Sequence, residues 1–369
     1  MAFQPTDQRE LILPLLAGIY ETPPWHSFMT NLVARTHARR AFLLTRAADA
    51  PTDQGLVIRS FAAPRANADA PLDYRRISGL DLLPLDQLRP GRVYSLEEML
   101  DFSDAALLAH QRSVLVASGV RYGRWVHISA GVADAWIILT REREDFSAAA
   151  VALLSSMTSH FAAALLAQAK LSEQRLQAAM AHQALARLGI GQLAFDRTGR
   201  VLLADPQAEA MLTIIDDGSG RLGRRLHLLP EASRQFAEAC AEVADADSGS
   251  AAVVPLDPLG EAWLLLHKAN LPDVQTIALP AVIGIVRRPV EINDRFAKPV
   301  ISSLYGLSER EAALACGMAN GGTITDTGAD LRLTKETSRN YSKRIYGKTG
   351  TSSQADLVRK LLIGLPPLA

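Results

Sequence analysis

The sequence predicts a multidomain chain: two α+β units followed by an all-α end of four short helices. Three observations predict it. The 369 residues are enough for two or three domains of ordinary size. Two stretches, 1–168 and 189–290, each mix helical periodicity with short apolar runs bounded by turn residues. From Leu307 onward the pattern is helical only, punctuated by capping residues and glycines.

The composition, 48% apolar and 21% charged, is that of a globular protein with ample core material. Formal net charge is zero, but it is unevenly spread. Residues 306–369 hold nine Lys/Arg against six Asp/Glu, leaving 30 against 33 for the rest. A basic end on an acidic body suits contact with a phosphate backbone. Cys240 and Cys316 stand far apart and form no disulfide framework. Met1–Glu10 is polar and of mixed charge, so no signal peptide is expected. Ser147–Ala169 has no Asp, Glu, Lys or Arg over 23 residues, long enough to cross a bilayer. Its Ser155, Ser156, Thr158, Ser159, His160 and Gln168 make it too polar for a span. A soluble, cytoplasmic protein without membrane contact is expected.

In the first unit, residues 6–20 carry Leu11, Leu15 and Ile19 at helical spacing, with a kink expected at Pro14. Ser27–Arg39 is a second helix. Ala41–Thr45 and Val57–Phe61 are strand candidates, and Pro71–Gly91 is a loop with short helical turns. Ser95-Leu-Glu-Glu98 has capping-box spacing and opens another helix. Arg124–Ser129 and Asp134–Arg141 are paired strands. Glu144–Ser147 caps a long helix running to about Leu188, with no proline inside it. Its second half, 169–188, is expected to connect units and to pair with its twin in a homodimer.

In the second unit, Gln192–Asp196 and Val201–Ala204 form a hairpin around Arg197–Arg200. Pro206–Leu212 and Glu231–Ala244 are helices. Ala251–Pro255, Ala262–Lys268 and Ala281–Arg287 are three more strands. Pro289 and Pro299 bracket an expected linker, 291–304, into a last domain, 305–369.

That last domain opens on a second capping box, Ser308-Glu-Arg-Glu311, and Gly321-Gly322 ends its first helix. Thr323–Leu331 is the second helix, Arg332-Leu333 a tight turn, and Thr334 the N-cap of a third helix, Lys335–Tyr346. Ser352 or Ser353 caps a fourth, with Leu357, Val358, Leu361 and Leu362 on its apolar face. A helix, a short turn and a polar-faced helix make a helix-turn-helix, whose second member enters the DNA major groove. Ile345 and Tyr341 are assigned inward. Lys335, Ser338, Arg339, Ser342 and Lys343 are assigned outward, as donors to phosphates and base edges.

Several pieces together resemble the C-terminal domain of LuxR-type transcription regulators. They are Leu307–Glu311, Ala319-Asn-Gly321, Leu331-Arg-Leu-Thr334, Thr337-Ser-Arg-Asn-Tyr341, Ile345-Tyr-Gly-Lys348 and Ser352–Val358. The resemblance implies double-stranded DNA as partner, with Lys335, Thr337, Ser338, Arg339, Ser342 and Lys343 facing it and Lys348 on a phosphate. It also implies that Leu357, Val358 and Leu361 bury a dimer seam. Thr327-Gly328 stands where that family usually has Ile-Ala. A mid-helix glycine costs roughly 1 kcal/mol against alanine, so a frayed second helix is expected. Arg141–Ala167 resembles the end of a GAF- or PAS-like input region, and Ile190–Leu212 the opening of a PAS-like unit. Two readings of the front units stay open: sensing an unidentified small-molecule effector, or dimerising only.

No catalytic function is expected. Gly218-Ser-Gly-Arg-Leu-Gly223 matches a dinucleotide fingerprint in letters only, because no strand leads in and no helix start follows. The eight histidines are scattered without metal-ligand spacing, so no metal and no cofactor are expected. Trp25, Trp125, Trp136 and Trp263 are assigned to cores.

Overall fold

A computed structural model describes residues 5–50, 55–63, 80, 82, 84–216, 223–247, 249–256, 263–271, 279–287 and 294–364. All but the last glycine of the expected turn at Pro51–Gly55, most of the Pro71–Gly91 loop, and all but the last glycine of the Gly218–Gly223 stretch lie outside these residues. The chain divides into two compact units, Met1–Leu176 and Gln177–Ala369.

The first unit is an antiparallel five-stranded sheet in the order β2-β1-β5-β4-β3. Its strands are β1 (Arg40–Ala47), β2 (Val57–Ala62), β3 (Val93–Ser95), β4 (Tyr122–Ser129) and β5 (Ala133–Arg141). On one face lie the turns of residues 5–20, α1 (His26–Arg35) and the start of a long helix. Alternation sends Leu43, Ile137 and Leu139 to that side, where they meet Trp25, Phe28, Leu154, Met157 and Phe161. The other residues of the same strands, Phe42, Leu44, Trp136 and Ile138, build a second core with Tyr94, Met99 and Leu115. A sheet buried on both faces explains the continuous apolar runs of β1 and β5.

The expected kink at Pro14 takes the form of a π-helical turn, Gln8–Ile12, just before an α-helical Leu13–Ala17. The Ser95 capping box forms, but its helix is one turn, Leu96–Met99. A separate helix, α2 (Ala105–Ala117), starts on the Asp104 side chain. The sequence reading missed α2 and β3. Neither shows strong periodicity, and β3 has three residues. The long helix α3 spans Ala148–Arg187, close to expectation, with Ser147 accepting from Ala150 N–H at 3.2 Å. It is long and apolar enough to cross a membrane by composition, but its apolar face, Leu154, Met157, Phe161 and Leu165, is buried on the sheet.

The second unit begins with another five-stranded antiparallel sheet, ordered β10-β11-β12-β6-β7. These are β6 (Ile190–Phe195), β7 (Val201–Ala204), β10 (Ala251–Pro255), β11 (Trp263–Lys268) and β12 (Val282–Arg287), with a small hairpin β8 (Ile214–Asp216) and β9 (Arg224–Leu226). Gly199 takes φ 78° in the β6–β7 turn, as its hairpin position requires. Asp205 ties β6 to α4 (Pro206–Met211): its carboxylate accepts from Ala208 N–H at 2.7 Å and from Gln192 N–H at 3.0 Å. Helix α5 (Pro230–Asp245) lays Phe236, Cys240 and Val243 on the sheet. There burial and the charge of Asp196 push the Cys240 thiol up to about 12, so it stays protonated and unreactive. Trp263 is half exposed, against the expectation of a core residue.

The expected linker is a correction. From Asp294 to Tyr305 the chain is helical, α6, with Pro299 inside it. Pro299 is exposed, while Ala297 and Ile301 are buried in the helical core. Burial of that face outweighs the hydrogen bond that proline forfeits. Four further helices follow: α7 (Glu309–Ala319), α8 (Ile324–Asp330), α9 (Lys335–Thr349) and α10 (Gln354–Ile363). Ala312, Leu314, Ala315 and Met318 of α7, Ile345 of α9, and Leu357 and Leu361 of α10 form one core.

Candidate nucleic-acid interface

The helix-turn-helix is set by its caps. Thr323 N-caps α8 by accepting from Asp326 N–H at 3.1 Å, and Thr334 N-caps α9 by accepting from Thr337 N–H at 3.2 Å. Between them α8 ends in a Schellman motif. Leu333 N–H reaches Gly328 O at 2.8 Å and Arg332 N–H reaches Ala329 O at 2.9 Å. Arg332 takes φ 57° at the position that favours glycine. The Ser308–Glu311 capping box forms as expected, and Gly350, at φ 67°, closes α9.

Helix α9 has two faces. Lys335, Glu336, Arg339, Asn340, Lys343 and Arg344 are exposed. Lys335, Arg339, Lys343 and Arg344 have no ion pair among the described residues. The opposite face corrects the sequence reading. Ser338 is 1% exposed and Ser342 4%, so both point into the domain rather than outward. Their hydroxyls are already spent on their own helix: Ser338 Oγ donates to Thr334 O at 3.0 Å, and Ser342 Oγ to Arg339 O at 2.9 Å. Thr337 is half-buried, its hydroxyl 2.8 Å from that of Thr334. Asn340 and Arg344 were not singled out from sequence; both stand on the exposed face.

The serine face has a steric purpose. A Cβ built on Gly328 would overlap Ser338 Oγ and lie 2.9 Å from Ser338 Cβ. Gly328 and Ser338 thus form a close approach between α8 and α9. Thr327 is buried against Gly317 in the same way, since a Cβ there would run into its side chain. The Thr327-Gly328 pair therefore makes a close helix contact, and α8 is a formed, capped helix rather than a frayed one.

Lys348 is also placed differently from expectation. Its ammonium donates to the Glu311 carboxylate at 2.7 Å and to Gly306 O at 2.9 Å. Glu311 is 3% exposed. Burial would raise its pKa, but hydrogen bonds from Lys348 and from Ser308 N–H, with the Lys348 charge, hold it below the ordinary value. A carboxyl held low stabilises the fold above its unfolded pKa and loses that contribution as pH falls through the folded one. The helical end is expected to weaken on the acid side of about pH 4.3. An acid titration followed by hydrogen exchange in α7 checks this. Glu311→Gln is expected to flatten the acid limb, and an unchanged limb would discount the pair.

The expected dimer seam is a further correction. Leu357 and Leu361 are both 0% exposed within the single chain, packed against α7. Of the three, Val358 alone is partly open. Among the described residues no group of three or more His, Cys, Asp or Glu side chains could hold a metal ion.

No family model matches the chain, and no curated protein matches it. Solved structures similar to it include proteins described as of the LuxR type. CepR2 of Burkholderia cenocepacia, an N-acylhomoserine lactone-dependent LuxR family transcription factor, is 13% identical over 42% of this chain and 95% of its own, at TM-score 0.30. VqmA of Vibrio cholerae is 14% identical over 48% and 85%, at 0.20. SdiA of Escherichia coli is 9% identical over 90% and 89%, at 0.26. At these TM-scores the likenesses carry no argument about what this chain binds, and its own residues have to supply it.

Proposed function

We propose that the chain is a cytoplasmic, homodimeric, sequence-specific DNA-binding regulator of transcription, of the LuxR type. The observation that carries this is the exposed face of α9, with four cations that have no ion pair among the described residues, on the second helix of a capped helix-turn-helix. At 1.5 Å per residue, α9 is roughly 22 Å long and can lie along a major groove about 12 Å wide. Arg339 is central on the face and is the candidate for bidentate contact with guanine. Lys335, Lys343 and Arg344 serve as phosphate partners. The DNA-binding unit then runs from Asp294 to the end, behind a GAF- or PAS-like unit (1–168), a connecting helix (169–188) and a PAS-like unit (189–290).

Selection of full-length chain on random duplexes is expected to enrich an inverted repeat with half-sites about one helical turn apart. No enrichment at low salt would overturn the reading. On the selected duplex, Arg339→Ala is expected to weaken binding roughly tenfold, about 1.4 kcal/mol, while hardly changing binding to unrelated duplexes. Equal losses on both would reduce Arg339 to a phosphate contact.

Dimerisation is assigned to α3. Leu166, Leu176 and Met180 are its exposed large apolar residues, and their spacing falls on the a and d positions of one heptad frame. A twin helix would cover them. Leu176→Glu combined with Met180→Glu is expected to shift the chain from dimer to monomer in analytical ultracentrifugation. A dimer of unchanged strength would remove α3 from the interface.

A further inference from the structure

The first unit contains a cleft of about 310 Å³ on the helix-covered side of its sheet. It opens where β1, β2 and the start of β5 meet the middle of α3. A space of that size suits a small organic molecule. The register fixes which side chains look into it. Val57 pairs with Thr45 and Arg59 with Leu43, so alternation puts Val57 and Arg59 on the face of Phe61, which is buried in the helix-side core. Helix α3 adds Leu165, Gln168 and Ser172.

Two polar groups in the cleft, the Arg59 guanidinium and the Gln168 Oε1, have no partner among the described residues. Arg59 has no ion pair or hydrogen bond among the described residues, and burial pushes its pKa down from the ordinary value. A cation partly withdrawn from water without a counter-charge is a standing cost. Gln168 gives its Nε2 to Ser172 Oγ at 3.3 Å, while its Oε1 is shut from solvent with no partner. Exchanging the two amide atoms would leave the nitrogen in the same position. An orphaned amide atom costs on the order of 1–3 kcal/mol. Thr45 and Ser172 add hydroxyls to the lining and Arg46 is paired with Asp86; the remainder is apolar, with Trp25 and Leu165 buried and Val57 and Val132 about half exposed at the rim.

The geometry points to a binding site for a small organic monocarboxylate with an apolar, aromatic-sized body and a hydroxyl or amide group. The carboxylate accepts the charge-assisted fork of Arg59. The ligand's second polar group meets the unpartnered amide atom of Gln168 once that side chain turns toward the cleft. The apolar body covers Val57 and Val132. A phosphate dianion fits less well, because the other guanidinium of the lining, Arg46, is already paired with Asp86, which leaves Arg59 as a single charge to meet it. The site stands whether or not the chain binds DNA, so its test uses no DNA.

Isothermal titration of the full chain with 4-hydroxybenzoate, benzoate and 4-hydroxybenzyl alcohol separates the contributions. The hydroxy acid is expected to bind one per chain, benzoate several-fold more weakly, and the alcohol at least roughly tenfold more weakly. Arg59→Gln is expected to weaken both acids at least roughly tenfold without lowering the ligand-free melting temperature. Gln168→Leu is expected to erase the difference between the two acids. Arg143→Gln, at an exposed arginine outside the cleft, is expected to bind as the parent does. Three results would overturn the site: no heat from either acid at millimolar concentration, the alcohol binding as well as the acids, or Arg59→Gln binding unchanged.

Discussion

Leu361→Ala is expected to destabilise the helical end by about 2–5 kcal/mol, the usual range for emptying a fully buried leucine site. The side chain is 0% exposed and lies with Leu357, Leu314 and Met318 in one core. Truncation therefore removes its transfer energy and leaves a cavity beneath α7. A residue in a dimer seam would respond differently: the dimer would loosen while each chain kept its fold. Hydrogen exchange separates the two cases. Protection in α7 and α10 is expected to fall at every protein concentration. Protection that recovers at high concentration would return Leu361 to an interface. The chain has more than one unit, so a segment-resolved measurement is preferable to a single melting temperature.

Gly328→Ala tests the close contact of α8 with α9, and here two physical effects predict opposite signs. Helix propensity alone favours alanine by about 1 kcal/mol. The packing opposes it, because the new methyl would overlap Ser338 Oγ and sit 2.9 Å from Ser338 Cβ. Rotating the serine hydroxyl away does not move its Cβ, so the helices must separate. Overpacking of this kind costs about 1–3 kcal/mol, and the net effect is expected to be destabilising. Hydrogen exchange in α8 is expected to speed up, and operator affinity to fall as α9 tilts on its support. Slower exchange would show that propensity dominates. Adding Ser338→Gly to Gly328→Ala is expected to relieve the contact and restore much of the lost affinity.

Arg339 and Leu361 show how differently the sequence spoke about residues in the same domain. The arginine stands on α9 after a Thr334 cap and a short turn, and its exposure follows from local chemistry. Leu361 was correctly placed on the apolar face of its helix. Periodicity, however, says only that a face is covered. It does not say whether α7 of the same chain or a second copy does the covering, because both offer the same hydrophobic gain. Ser338 and Ser342 went wrong for another reason. Hydrophobic patterning treats serine as a surface residue, whereas a serine whose hydroxyl returns to its own helix carbonyl can be buried at little cost. Such a face is small enough for a glycine helix to press against it, and it leaves no apolar trace.

Local rules did determine much of this protein. The caps at Ser95, Ser308 and Thr334, the short apolar runs of β1, β5 and β11, and the unbroken helix to Arg187 all follow from interactions within a few residues. So does the exposed row of cations on α9. Tertiary structure decided what depends on partners distant in the chain. It recruited Pro299 into a helix, turned Lys348 onto Glu311, drew Leu357 and Leu361 into the domain core, and made Thr327-Gly328 a point of contact instead of a weakness. It also left Arg59 and Gln168 in one cleft, though they are more than a hundred residues apart. The physical reason is the same in each case: a side chain's preference is local, but the surface that satisfies it is supplied by whatever the fold brings alongside.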